Sequence, residues 1–134
     1  MSGRAKVLLI GFSLLASVAS AAPGFDYKDY DDELMRDLEK TIKYFEPDIT
    51  AQNADAARED AAVLADGFRY TEDYFNKKGG AQDAVEISRK GSKLISQIND
   101  YIGKSDFDQA AAAARDATAV CKSCHDIYKP RLAR

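Results

Sequence analysis

Apolar residues recur along most of this chain at three- and four-residue intervals, the period that gives a helix one buried face. Met35, Leu38, Ile42 and Phe45, with Leu34 beside them, mark a first helix that begins near Asp29 to Asp32. It is expected to run to about Phe45, because Pro47 lacks the amide proton that a helix interior needs. Asn53 is suited to cap a second helix reaching Phe75, with Ala57, Ala61, Leu64, Phe68 and Phe75 on its buried stripe. Lys77 to Gly80 form the next turn, since a Gly-Gly pair is a strong helix stop. A third helix is read from about Gln82 to Ile102 on Val85, Ile87, Leu94, Ile95, Ile98 and Ile102, and Gly103 ends it. Ser105 is placed as the cap of a fourth, with Asp108 at the capping-box position. That helix carries Phe107, the alanines from Ala110 to Ala114, and Ala117, and it stops at Pro130. No strand pattern interrupts the four, so the expected fold is all-α, an antiparallel four-helix bundle.

The N-terminus has a different character. Arg4 and Lys6 precede an almost wholly apolar stretch from Val7 to Val18, followed by Ala19-Ser20-Ala21. A basic start, a short apolar core and small residues at the end read as a secretory signal peptide, residues 1–21, cleaved after Ala21. The apolar run is shorter than the ~20 residues of a membrane-spanning helix. Residues 22–134 then form one domain, preceded by a short lead to about residue 29 in which Pro23-Gly24 prevents early helix formation. The expected location is the periplasm.

Charge narrows the partners. Removing Arg4 and Lys6 takes the basic count from 19 to 17 against 22 acids, a net charge of −5. An acidic surface without a basic stripe argues against nucleic acid. Asp29, Asp31, Asp32 and Glu33 suit a helix N-terminus, where the backbone dipole favours negative charge; a patch for a cationic partner is the other reading. The chain has no phosphate-cradling glycine loop, and no nucleophile with a spare histidine to activate it, so enzymatic activity is not expected.

The chemistry gathers at Cys121-Lys122-Ser123-Cys124-His125, which holds both cysteines and the single histidine of the chain. C-x-x-C-H is the attachment motif of c-type haem: two thiols form thioethers with the vinyl groups, and the adjoining imidazole ligates iron. A thioredoxin-like pair would need a helix start in a βαβ setting. A zinc site would need about four ligands and would have to draw in Asp126 from the same turn. Neither rival accounts for every residue of the motif. Attachment of haem c outside the cytoplasm agrees with an exported chain.

Four helices with C-x-x-C-H near the end of the last resemble the cytochrome c′ and cytochrome c-556 family, whose bundle architecture is well known. The likeness extends through Asp126-Ile127-Tyr128-Lys129, where the family has two variable residues, an aromatic and a basic residue, more often arginine than lysine. The resemblance implies a monohaem electron carrier with redox partner proteins in the periplasm and His125 as the proximal iron ligand. In the electron-transfer branch a methionine of the first helix ligates iron opposite the histidine, and Met35 is in phase for that role. The arginine often found four residues earlier is replaced here by Asp31. In the cytochrome c′ branch the sixth position is open and shielded by an apolar side chain, here Leu34 or Tyr30. Such an iron binds nitric oxide or carbon monoxide. Family members also form homodimers through their first two helices.

Overall fold

The computed structural model describes residues 28–129, and among them the only regular elements are four helices. These are α1 (Asp32–Thr50), α2 (Ala54–Lys78), α3 (Gln82–Gly103) and α4 (Phe107–Tyr128). The reading of residues 1–21 as a signal peptide, the lead up to residue 27, and the stop at Pro130 lie outside the described residues.

Three-residue loops at 51–53, 79–81 and 104–106 force consecutive helices to lie antiparallel, and α1 packs on α4 to close the ring. Ion pairs between the helices report the register. Glu72 accepts two bonds from Arg89 across α2 and α3 (3.0 and 2.7 Å), and Arg115 reaches Glu46 across α4 and α1 (3.0 Å). The start of α1, the end of α2, the start of α3 and the end of α4 therefore meet at one end of the bundle. The α1–α4 contact is the thinnest of the four interfaces.

Local chemistry explains most of the boundaries. The Asp31 carboxylate accepts from the amides of Glu33 (3.0 Å) and Leu34 (2.9 Å), so one of the N-terminal acids acts as the helix cap. Asn53 caps α2 as expected, accepting from the Ala56 amide. Gly79 and Gly80 both have positive φ, at 71° and 76°, which explains why the pair ends α2.

Three boundaries differ from the sequence expectation, the first being the end of α2, which runs three residues past Phe75 and takes Lys77 and Lys78 out of the expected turn. Helix α1 does not stop before Pro47 but continues through it to Thr50. Ile49 is completely buried one turn after Phe45, and continuing the helix is what brings it into the core. Lys43, whose carbonyl loses its usual partner to the proline, sits on the exposed face, where water can satisfy it. The cap of α4 is Asp106 rather than Ser105. The Asp106 carboxylate accepts from Gln109 (3.2 Å), while Ser105 takes the left-handed φ of 58° that the tight α3–α4 turn requires. Gly103 falls within the last turn of α3 and leaves that conformation to Ser105.

The core is divided in two. The larger cluster joins Phe45, Ile49, Leu64, Ile95, Ile98 and Ile102 to the alanines of α4. Ala110, Ala114 and Ala117 are completely buried there, so the alanine run serves close approach of the neighbouring helices. Phe68 packs against this cluster, over Gly91, where an added β-carbon would overlap its ring. The smaller cluster, Phe75, Ala81, Ala84, Val85 and Tyr128, lies at the other end of the bundle with Tyr74 and Cys124 packed on it.

Candidate functional site

Cys121 and Cys124 lie in the last two turns of α4, so their three-residue spacing puts both thiols on one side of the helix. Both are half-buried and neither forms a disulfide. Burial pushes the Cys121 thiol above its ordinary value and the Cys124 thiol up to about 12, so both are held as neutral thiols. The motif is at the end of a helix in a chain whose described residues contain no strand, unlike a thioredoxin-like pair.

His125 is 28 % exposed, with its Nδ1 atom 3.9 Å from Glu39 Oε1 on α1. Burial is the main influence lowering its basicity and Lys129 adds to it, while Glu39 and Asp126 act in the opposite direction. The net effect favours a neutral imidazole, the form that donates a lone pair to a metal. Glu39 also accepts a hydrogen bond from the Lys129 ammonium, and that bond holds its carboxylate below the usual range. The same Glu39 oxygen thus binds Lys129 and lies near the His125 ring, one turn earlier on α4. Asp126 is engaged with Lys122 (2.6 Å), and no group of three or more His, Cys, Asp or Glu able to hold a metal ion occurs among the described residues. The zinc reading has no geometric support.

Met35 is partly buried one turn before Glu39, on the stripe of α1 that faces α4. With Glu46 opposite Arg115 and Glu39 opposite His125, the antiparallel register places Met35 level with the C-terminal end of α4. The α1 side chain set against His125 is Glu39. Tyr30 is held on the α2 side. Thr71 Oγ1 donates to the Gly67 carbonyl (2.8 Å), so the Tyr30 phenol donates to Thr71 (2.7 Å), and its ring stands edge-on to Tyr70 and Tyr74.

Below Cys124, Tyr128 is 7 % exposed and donates its phenolic hydrogen to Asp83 at the start of α3, while the same carboxylate oxygen accepts from the Ala84 amide (2.9 Å). Phe75 of α2 lies against the Tyr128 ring at a centroid distance of 5.0 Å. The aromatic two places before Pro130 therefore fastens α4 to α2 and α3. Glu39 and Asp83 went unnoticed in the sequence, because each is an ordinary acid on a helix until the bundle sets it beside α4. The signal for Glu39 was its four-residue distance from Met35.

The chain matches no family model, no curated protein and no solved structure. Its reading rests on its own residues. Two neutral thiols on one side of a helix and an adjoining neutral imidazole are a donor set that could hold a covalently attached haem, and Cys124 packs on the buried cluster of Phe75, Val85 and Tyr128. Among the described residues, no helix is long and apolar enough to cross a membrane.

Proposed function

We propose that this chain is an exported monohaem c-type cytochrome that carries electrons between proteins of the periplasm, in the manner of the cytochrome c′ and c-556 family it resembles. The observation that carries this reading is the disposition of Cys121, Cys124 and His125: half-buried, neutral and adjacent at the end of α4. When bound, the haem supplies an iron that alternates between ferric and ferrous states. Cys121 and Cys124 hold the group by thioethers, which prevents its loss to solvent. His125 would donate a ring nitrogen to the iron, with Glu39 lying 3.9 Å from its Nδ1 atom. The apolar floor beneath Cys124 limits water and so limits solvent reorganisation. Met35 is the α1 residue that would offer its thioether to the iron, and such a donor would raise the potential by favouring the ferrous state.

The test is the absorption spectrum of the protein purified from periplasm, in ferric and ferrous forms, with and without carbon monoxide. Sharp low-spin ferrous bands, a weak far-red ferric band from sulfur-to-iron charge transfer and indifference to the gas are expected. Broad high-spin bands that sharpen on adding carbon monoxide would instead establish an open sixth position and a gas-binding role. A protein without haem bands would refute both.

A further inference from the structure

The seam between α1 and α4 is closed differently at its two ends. Away from the motif, Phe45 and Ile49 of α1 are completely buried in the larger core cluster, with the Glu46–Arg115 pair outside them. Toward the motif, no residue of α1 from 32 to 43 is buried, and Pro47 has no amide proton to bond the Lys43 carbonyl one turn earlier. The contact that crosses the seam there is polar. Glu39 accepts from Lys129 and lies near His125, and both partners of the bonded pair are open to solvent. Each helix has a firmer partner on its other flank. Tyr30 donates to Thr71 (2.7 Å), Asp29 accepts from Tyr74 (2.8 Å) and from Lys78, and Leu38 fills the notch at Gly67, so the start of α1 is fastened to α2. Phe75 and Asp83 hold Tyr128, so the end of α4 is fastened to α2 and α3.

We propose that the motif half of the α1–α4 seam is a gate whose latch is the Glu39–Lys129 ion pair. α1 pivots on α2 at the Leu38–Gly67 contact and parts from α4, while Phe45 and Ile49 keep the far half closed. Opening uncovers His125 and, one turn before it on the same face of α4, Cys121, so solvent and small solutes reach the motif from this side. An exposed ion pair is weakened by salt, which makes the gate sensitive to ionic strength. Lys43 on α1 and Asp126 on α4 are the other charges acting on this pair of groups, and Lys122 engages Asp126. The gate does not depend on the haem reading, although on that reading Met35 would add a second tie across the same seam.

The experiment is native-state hydrogen exchange, followed by mass spectrometry, on the purified full chain. Glu39→Gln keeps the length of the side chain and removes its charge. It is expected to speed exchange of residues 36–43 and 121–128 by about two- to five-fold, the range an exposed ion pair is worth, and to leave α2, α3 and residues 45–50 unchanged. Salt at about 1 M, where charges are screened beyond ~3 Å, should reproduce the change in the natural protein and add little in Glu39→Gln. Glu46→Gln removes the pair at the far end and should change neither segment, because buried side chains hold that end. The comparison is repeated in a Met35→Leu background. Loosening by Glu39→Gln there, with or without loosening in the natural background, supports the gate. Exchange unaltered by Glu39→Gln in both backgrounds, or faster exchange spread over all four helices, would overturn it. The haem reading is decided separately, by the absorption spectrum.

Discussion

Glu39 Oε1 lies 3.9 Å from His125 Nδ1 and accepts a hydrogen bond from Lys129, so a carboxylate of α1 stands behind the imidazole of α4. In the haem-bound protein proposed above, a negative charge there would favour the more positive ferric state. Glu39→Gln removes it, and with Lys129 screening the pair the loss should be about 0.5–1 kcal/mol, or ~20–40 mV upward for a one-electron couple. Voltammetry of the holoprotein measures it, and a potential that does not move would remove Glu39 from the iron's surroundings.

The same pair has a pH signature. The carboxyl of Glu39 is held below its ordinary 4.5, mainly by the Lys129 hydrogen bond. Its contribution to stability is therefore present above about pH 4.5 and is lost as pH falls through the lower, folded-state value. The melting temperatures of the natural protein and Glu39→Gln should differ near neutrality and converge in acid. A gap that persists in acid would point to packing as its cause.

Met35→Leu removes the thioether while keeping an apolar side chain of similar volume. If Met35 ligates iron, the variant loses the far-red ferric band, becomes high-spin and binds carbon monoxide. Its melting temperature should change little. A spectrum unchanged from the natural protein would reassign Met35 to the core.

Asp60 presents the opposite electrostatic sign. One of its carboxylate oxygens is buried without a hydrogen-bond partner. Burial, followed by the charge of Asp48 nearby, raises its pKa above the ordinary 3.8. The favourable contribution is present below pH 3.8 and is lost as pH rises through the folded-state value. Asp60→Asn should stabilise the protein at pH 7 by about 1 kcal/mol, a rise of roughly 4 °C or more in Tm, with no gain in strong acid. Thermal unfolding at the two pH values checks both halves of the expectation.

Gly91 is a packing notch. A β-carbon there would overlap the Phe68 ring, so Gly91→Ala must displace an aromatic side chain that fills the α2–α3 contact. Overpacking of this kind costs about 1–3 kcal/mol, well beyond what alanine gains in helix propensity. Urea unfolding should show the lower midpoint, and Gly91→Ala combined with Phe68→Leu should recover part of it.

How much could be read without coordinates depended on whether the cause was local. The period of apolar residues, the Asn53 cap and the Gly79-Gly80 stop act within a turn or two of chain, and the structure repeats all three. The placing of Cys121, Cys124 and His125 together at the end of α4 is equally local, because the three lie within five consecutive residues. Pro47 and Ser105 depart from their local preferences because each met a stronger demand from elsewhere. Burial of Ile49 carried α1 through the proline, and the short turn into α4 moved the cap to Asp106.

The amino-acid sequence by itself determined four amphipathic helices, their antiparallel order through short loops, and the position of a thiol pair and an imidazole at the end of the last. Only the tertiary structure decided which side chains of the other helices stand against that end. Glu39 comes from 86 positions earlier than His125, and Asp83 from 45 positions before Tyr128. Such pairings depend on the register between helices, which is set by the summed packing of whole faces, including the Gly67 and Gly91 notches, and leaves no mark at the paired residues themselves.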